Sequence, residues 1–419
     1  MKSRYLLSLC FVLILVFGLS CKKRESLEGH WRAVWMTSGG EVPVDLFIKR
    51  AETGDLEAEV QNDTEVVKFD RVKQVDRHLN FYYDRYECVI SADLNEKGNS
   101  MSGTWAKNTG GPAKTPFSAK KGELERFPEK TYKPLEGTAV IQDVSGTWKF
   151  QFEGDDYISV GIFKQEGDHV TGTIRAIDGD FRYLEGVYRN GLLLLSCFNG
   201  SWAFLFRGEL DENGIMNGYW ARGPKDPYPW KATKEEADLP DPLSLTQTVI
   251  PESPFRFAYP SAEDPEEIIT HENSEFQGKP LLVCLSMTGC PNSHDNADLL
   301  SMLYKEYHEK GLNIVSIHSE LIKDVERIQK RIRRFKKEHD IEFPILFSFA
   351  MGKKEFADEL PDLERLLAWP TVVFVGADGI VKTIYTGVEG PATGIHHENM
   401  IQKYREIIED MLAPKPSVE

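Results

Sequence analysis

The first 236 residues of the sequence contain an internal repeat. Gly29-His30-Trp31 recurs as Gly146-Thr147-Trp148, and Gly103-Thr104-Trp105 recurs as Gly218-Tyr219-Trp220. The recurrences are offset by 117 and 115 residues, so the register between the copies is nearly constant. Self-similarity at a fixed offset is typical of duplicated structural units. The chain is therefore predicted to begin with two related modules.

Both copies have the composition of β-structure. Short runs rich in Val, Ile, Phe, Tyr and Trp are separated by Gly, Asn and Asp, and Asp178-Gly179 and Asn190-Gly191 are hairpin dipeptides. We predict two small antiparallel barrels or sandwiches, module 1 over residues 21–123 and module 2 over residues 137–236. The repeated tryptophans are interpreted as core residues, the alternative being platforms for a ligand.

Residues 1–20 have the pattern of a secretory signal peptide. Two basic residues precede an apolar run, residues 6–19, which is too short to span a bilayer. Gly18-Leu19-Ser20-Cys21 resembles a bacterial lipobox, although Gly18 stands where that motif usually has Leu. The resemblance implies lipidation at Cys21 and a protein held by its lipid to a bacterial membrane, facing the periplasm or the exterior. An ordinary cleaved signal is the alternative.

The overall charge argues against some classes of partner. The chain has 50 Lys and Arg against 66 Asp and Glu, a formal net charge of −16. An acidic surface repels nucleic acid and anionic lipid, so neither is expected as the main partner. No cofactor and no metal site is predicted.

A Pro-rich segment, residues 237–275, separates the modules from a different kind of domain. Nine of the chain's 22 prolines fall between residues 224 and 265, which predicts a linker or an extended arm laid across a neighbour. Beyond it the pattern is strand, helix, strand, helix, strand, then a helix, a hairpin and a closing helix. An α/β domain is predicted over residues 276–415, which makes the chain an α+β multidomain protein.

One helix of this domain has a basic face. Val325, Ile328, Ile332 and Phe335 have helical spacing. The opposite face carries Arg327, Lys330, Arg331, Arg334 and Lys337. We interpret this face as solvated, with a docking surface as the alternative.

Cys290 has the sequence context of a reactive thiol. It follows a predicted strand, Leu281–Ser286, and precedes a helix that starts at Pro291, where proline is well tolerated. Unpaired N–H groups and the helix dipole at such a position favour thiolate, so the pKa of Cys290 is predicted to fall below about 8.5. Trp369-Pro370-Thr371 follows some eighty residues later and places a proline at the start of a central strand, which predicts a cis peptide bond.

These motifs resemble the thioredoxin-like superfamily, in its TlpA/redoxin (AhpC/TSA-like) branch of envelope thiol–disulfide proteins. The resemblance rests on the helix start from Cys290 to Asp295, the loop around Pro370, the Asp378-Gly379 hairpin and the tail Gly390–Gly394. It implies that Cys290 is the attacking thiol and that Pro370 lies beside it. It also implies partners among envelope proteins with thiols or disulfides, and an external thiol reductant.

The motif departs from that family at its second cysteine. The resolving position is Ser293, which cannot attack a mixed disulfide, although its hydroxyl can donate a hydrogen bond to the Cys290 thiolate. Gly289 stands where the family usually has Trp. Three interpretations stay open: Cys290 acts as a monothiol, Cys284 resolves the mixed disulfide, or the domain binds a peptide in its groove without redox turnover.

The surroundings of the thiol are expected to include the residues next to it in the motif and next to Pro370. This set comprises Pro291, Asn292, His294, Cys284 and Thr371. We expect Cys284 to be a small buried residue and His294 to be a solvent-exposed residue rather than an acid–base group. An envelope location permits disulfides, and whether Cys88 pairs with Cys197 is left open.

Overall fold

The computed structural model describes residues 26–107, 114–122, 125–133, 135–137, 139–224, 227–250 and 252–414. The predicted signal peptide, residues 1–20, and the predicted lipidation site, Cys21, lie outside these ranges. Within them, every helix is too short or too polar to cross a bilayer.

Module 1 is a nine-stranded antiparallel sheet that curls on itself. Its strands are β1 (Gly29–Thr37), β2 (Gly40–Arg50), β3 (Leu56–Asn62), β4 (Glu65–Lys68), β5 (Arg71–Val75), β6 (His78–Tyr83), β7 (Cys88–Leu94), β8 (Ser100–Lys107) and β9 (Lys114–Lys121). They pair in the order β4-β3-β2-β1-β9-β8-β7-β6-β5, so the first and last strands are neighbours. A short 3₁₀ helix, Asp84–Tyr86, joins β6 to β7.

Module 2 is a closed antiparallel barrel. Its strands are β10 (Gly146–Phe152), β11 (Ser159–Glu166), β12 (His169–Ala176), β13 (Gly179–Asp180), β14 (Leu184–Arg189), β15 (Leu192–Phe198), β16 (Ala203–Leu210), β17 (Ile215–Ala221) and β18 (Tyr228–Thr233). They pair in the order β11-β10-β18-β17-β16-β15-β14-β12-β13, and the additional β11–β12 pairing closes the ring. The two-residue strand β13 pairs only with β12, at the rim.

The two modules have several features in common. The indole N–H of Trp31 donates to the Leu27 carbonyl, and that of Trp148 donates to the Val144 carbonyl, both at 2.8 Å. The core interpretation is confirmed for Trp31, Trp148 and Trp105, which are buried, whereas Trp220 is only partly buried. The modules differ in how their sheets close. In module 2, β12 pairs with β14, whereas the strands at the same positions of module 1, β3 and β5, form no ladder. Duplication stays a prediction.

The modules share a hydrophobic core. Strand β15 is buried on both faces, and Leu192, Leu194 and Phe198 on one face belong to the cluster formed by module 1. The Phe198 ring stacks on Trp35 with ring centroids 4.3 Å apart. The two modules therefore share one buried apolar cluster.

The C-terminal part of the chain contains a five-stranded mixed sheet with helices on both faces. The elements of this part are β19 (Ala258–Pro260), β20 (Ile268–Thr270), β21 (Leu281–Ser286), α1 (Pro291–Tyr307), β22 (Asn313–Ser319), α2 (Val325–Glu338), β23 (Ile345–Ser348), α3 (Lys353–Asp358), β24 (Thr371–Val375), β25 (Val381–Thr386) and α4 (Ile395–Leu412). Strands β19 and β20 pair with each other outside the five-stranded sheet. The sheet order is β23-β22-β21-β24-β25, with β21, β22 and β23 parallel and β24 antiparallel to β21. Helices α1, α2 and α4 pack on one face.

The Pro-rich segment packs on the opposite face of this sheet, as in the arm interpretation. Phe255, Phe257 and Tyr259 are buried there with α3. The Ala262 N–H donates to the Ile345 carbonyl at 2.9 Å, so the segment also bonds to β23.

The basic face of α2 docks on module 1, so the interpretation of this face as solvated is wrong for three of its arginines. Arg331 is buried and donates to the Glu87 carboxylate at 2.7 Å, and Arg327 binds the same carboxylate. Arg334 donates to the Asp84 carbonyl. Although burial alone would raise it, these arginine hydrogen bonds lower the pKa of Glu87 to about 2.

Candidate functional site

Cys290 lies where the sequence predicts it, at the N-terminal cap of α1. Strand β21 ends at Ser286 in the middle of the sheet, and Pro291 occupies the first turn of α1. The peptide bond between Trp369 and Pro370 is cis, as predicted. The Cys290 sulfur donates to the Trp369 carbonyl, with the two atoms 3.4 Å apart. The thiol and the cis-proline loop therefore meet.

The electrostatics of the thiol differ from the sequence-based expectation. Cys290 is half-buried, and burial raises the pKa of its thiol. Backbone N–H groups of Ser293 and Asn292 oppose this shift without reversing it. The prediction of a pKa below the ordinary value is wrong, because desolvation by the surrounding protein outweighs the donors of the helix start.

Ser293 lies close to the sulfur. Its side chain is 1% exposed, and apart from Cys290 its hydroxyl has no hydrogen-bond partner among the described residues. A hydrogen bond from this hydroxyl to Cys290 lowers the pKa of the thiol. Ser293 thus stabilises a thiolate, while it offers no second sulfur.

His294 is buried, so the prediction of a solvent-exposed side chain is wrong. Its Nε2 donates to the Thr288 carbonyl at 2.9 Å, which leaves Nδ1 to accept from His339 Nε2 at 2.7 Å. Burial, with Arg85 and His339 nearby, holds the pKa of His294 well below its usual range. This imidazole is a neutral structural group and not an acid–base partner of Cys290.

The same imidazoles form a group of possible metal ligands that the sequence did not indicate. Ligand atoms of His294, Glu338 and His339 lie within 4.8 Å of one another. The two ring nitrogens are 2.7 Å apart, whereas two nitrogens bound to one tetrahedral zinc lie about 3.3 Å apart. The geometry is that of a hydrogen bond between the rings.

The other three described cysteines are free and buried. Cys284 is 2% exposed in the core under α1, where it accepts a hydrogen bond from Asn296, and burial raises the pKa of its thiol to about 12. It is a small core residue, as expected, rather than part of the thiol's surroundings. Cys88 and Cys197 lie in the cores of different modules and are not paired.

Thr371 and Asn292 support the two loops of the site. Thr371 is fully buried and its hydroxyl donates to the Ala368 carbonyl at 3.0 Å, which fixes the turn before β24. Asn292 instead reaches out of the domain, and its amide donates to the Asp178 carbonyl of module 2 at 3.2 Å.

Module 2 forms one side of the site, which sequence reasoning missed. A cavity of about 300 Å³ lies between the start of α1 and the mouth of the barrel. Cys290, Pro291 and Asn292 line it on one side. Its aromatic lining comprises Phe152, Phe181, Trp202, Phe204 and Trp220. The Asp178-Gly179 dipeptide predicted a turn here, but no sequence signal tied it to Cys290.

Asp180 of module 2 adds a buried carboxyl to this cavity. It is 8% exposed, one carboxylate oxygen has no partner among the described residues, and the other accepts from Thr173 at 3.3 Å. Burial, reinforced by Asp295, raises the pKa of Asp180 to about 7. This group can exchange a proton near neutral pH inside the site.

Comparison with known proteins identifies the family of the C-terminal domain. Residues 257–384 match the model of the AhpC/TSA family, and this range contains both Cys290 and Pro370. The C-terminal part of the chain therefore contains an AhpC/TSA family domain. No curated protein matches the chain.

Two solved structures illustrate the similarity. One is a thiol:disulfide interchange protein of the thioredoxin family from Chlorobium tepidum TLS, with 14% identity, a TM-score of 0.30, and coverage of 39% of this chain and 99% of that one. The other is a thiol-disulfide oxidoreductase from Bacteroides fragilis, with 18% identity, a TM-score of 0.26, and coverage of 36% and 99%.

Proposed function

We propose that the protein catalyses thiol–disulfide exchange through Cys290 acting as a single nucleophile. The observation that carries this proposal is the contact between the Cys290 sulfur and the Trp369 carbonyl beside cis-Pro370, within a region that matches the AhpC/TSA family. A half-buried thiol with donors at a helix start is a group that can attack a disulfide.

The mechanism follows from the absence of a sulfur at position 293. Once Cys290 forms a mixed disulfide, Ser293 cannot release it, and Cys284 is a buried thiol under α1. A thiol from outside the chain must therefore complete the cycle. The Ser293 hydroxyl stabilises the thiolate when Cys290 is regenerated.

We propose further that the protein is lipid-anchored at Cys21 in a bacterial cell envelope. This rests on the signal-like residues 1–20 and on the lipobox-like motif that follows. In that location the substrate is a thiol or disulfide of the envelope, and the reductant is an external thiol. The two modules then lie between the anchor and the catalytic domain along the chain.

A binding role without redox turnover is the second candidate. It is favoured by the raised pKa of the Cys290 thiol and by the serine at the resolving position. In that case the C-terminal domain holds a ligand beside Pro370 and no bond is exchanged.

Catalysis of a simple exchange reaction separates the two. The full chain is mixed with 2-hydroxyethyl disulfide and glutathione, and consumption of glutathione is followed. We expect a rate above background that is lost in Cys290→Ser and retained in Cys284→Ala. A rate equal to background in the native protein would exclude the exchange function and favour the binding role.

A further inference from the structure

The turn of module 2 between β12 and β13 covers one side of Cys290. The Asn292 amide donates to the Asp178 carbonyl at 3.2 Å, and a Cβ placed on Gly179 would lie 1.8 Å from that amide nitrogen. Gly179 also has φ +138, a conformation that other residues rarely adopt. The turn and the start of α1 are in direct contact, so no second chain fits between them.

The same turn covers the loop that follows β25. A Cβ on Gly387 would lie 2.3 Å from the Ile177 carbonyl oxygen, and one on Gly390 would lie 2.5 Å from a carboxylate oxygen of Asp180. The Gly387 N–H donates to the Pro370 carbonyl at 3.0 Å, which places this loop at the cis-proline. The turn thus occupies the surface that an extended peptide would need beside Pro370.

Buried ion pairs hold the turn in place. Arg182, just after β13, bonds to Asp295 of α1 at 2.5 Å and to Glu65 of module 1 at 2.6 Å, and their side chains are 10–17% exposed. Arg175 bonds to Glu389 at 2.6 Å. Breaking a buried ion pair is strongly unfavourable. The pairs on either side of the turn therefore hold it against the C-terminal domain.

The space left at the thiol has the size of a small-molecule site, and its lining combines aromatic rings with polar groups. The cavity measures about 300 Å³, which is at the lower end of the range for small-ligand pockets. Two cationic side chains contact one of its aromatic rings: Lys107 Nζ lies 3.5 Å and Arg222 Cζ lies 4.4 Å from the centroid of the Trp202 ring.

We propose that the substrate of Cys290 is a low-molecular-weight disulfide with an apolar or aromatic body, bound in this cavity, and not an extended polypeptide. This inference rests on the proposed exchange function. The Cys290 thiolate attacks one sulfur of R–S–S–R′, a Cys290–S–S–R bond forms, the R–S–S–R′ bond breaks, and R′–S⁻ leaves with the electron pair. The thiolate of a low-molecular-weight thiol, R″–S⁻, then attacks the R sulfur of the mixed disulfide, R–S–S–R″ forms, and the Cys290–S–S–R bond breaks to release Cys290 as the thiolate.

Two probes with one leaving group test the size limit. The first is benzyl 2-pyridyl disulfide, and the second is a soluble, extended peptide whose single cysteine carries the same 2-pyridyl disulfide. Release of 2-thiopyridone by the full chain is followed, with Cys290→Ser as background, and each rate is divided by the rate of N-acetylcysteine with the same probe. We expect the normalised rate for the small probe to exceed that for the peptide by at least about tenfold.

A variant of the turn tests the physical cause. Gly179→Ala pushes the turn away from Asn292, so the preference for the small probe is expected to shrink. Gly146→Ala is the matched control, because Gly146 also has positive φ but has no atom within 4 Å of an added Cβ. Its preference should equal that of the native chain.

The outcomes separate this inference from the function on which it depends. Equal normalised rates for the two probes in the native chain would overturn the size limit and leave exchange through Cys290 intact. Failure of both probes to react at Cys290, together with no glutathione-dependent catalysis, would overturn both.

Discussion

At the scale of single residues, the thiol is placed by local sequence and tuned by distant sequence. Cys290, Pro291 and the cis bond before Pro370 follow from short motifs, because a helix start and a proline at a strand are local features. The direction of the thiol pKa does not follow from them. It is set by burial, and part of the protein that surrounds Cys290 comes from module 2, more than a hundred residues away.

The raised pKa predicts the pH dependence of labelling. Because the folded pKa of Cys290 lies above its ordinary value, the midpoint of the rate of native alkylation by iodoacetamide against pH should lie above about 8.5, the ordinary pKa of a free cysteine. Peptide-resolved mass spectrometry reads Cys290 separately from the other thiols. A rate that is already constant below pH 8 would contradict a raised pKa.

Loss of the Ser293 hydroxyl should raise the midpoint of this pH profile further. Ser293→Ala removes a hydrogen bond that favours the thiolate, so the midpoint is expected to rise and labelling at neutral pH to slow by about two- to tenfold. Ser301→Ala is the control, since that hydroxyl lies on the same helix but donates to the Asp340 carbonyl. An unchanged midpoint in Ser293→Ala would show that the hydroxyl does not bond to the sulfur.

A second sulfur at this position should convert the site to a dithiol. Ser293→Cys supplies the resolving group, so a mixed disulfide on Cys290 is expected to discharge without added thiol, at least about tenfold faster than in the native chain. Ser301→Cys, a buried serine further along α1, serves as control. A mixed disulfide that persists in Ser293→Cys would show that side chain 293 does not reach the sulfur.

At the scale of elements, periodicity predicts which segments become helices but not what they touch. Val325, Ile328, Ile332 and Phe335 fall within α2, and their 3.6-residue period is a local property of the chain. A solvated basic face and a docking basic face have the same pattern. Glu87, the partner that distinguishes them, lies about 240 residues away in sequence.

The contact between α2 and Glu87 predicts a measurable loss of stability. Glu87→Gln leaves Arg327 and Arg331 without their carboxylate and should lower the free energy of unfolding by about 2–4 kcal/mol at pH 7, measured in urea. Glu326→Gln, an exposed residue in the first turn of α2, should change it by less than about 0.5 kcal/mol.

The same pair fixes a pH dependence. The folded pKa of Glu87 is about 2 against an ordinary value of 4.5, so its contribution is complete above about pH 5 and is lost as the pH falls towards 2. The stability difference between the native chain and Glu87→Gln should shrink over that window. A difference that is constant from pH 7 to pH 3 would contradict the pairing.

At the scale of the whole molecule, four units predicted separately form one packed structure. The sequence indicates two β modules, a Pro-rich segment and an α/β domain, and each element type is found. Their mutual arrangement could not be predicted, because it depends on single side chains such as Phe198 and Arg182 that reach across units. The same holds for the site. The sequence predicts its nucleophile, Cys290, but not the turn of module 2 that covers it.

Shared packing predicts that the modules unfold together. Phe198→Ala leaves a cavity against Trp35 and should cost about 3–5 kcal/mol, with backbone amides of both modules losing protection in hydrogen exchange. Phe349→Ala, at a phenylalanine that is 42% exposed, is the control and should leave protection unchanged. Loss of protection confined to module 2 would show that the modules are energetically independent.

The most direct measurement is the fate of Cys290 when the native, reduced full chain meets a small disulfide. The chain is exposed briefly to 4,4′-dithiodipyridine, half is then treated with a low-molecular-weight thiol, and both halves are read by peptide-resolved mass spectrometry. We predict an adduct on Cys290, none on Cys88, Cys197 or Cys284, and full discharge by the added thiol. An unmodified Cys290 in the native chain, with all four thiols modified in urea, would contradict exchange chemistry at this site.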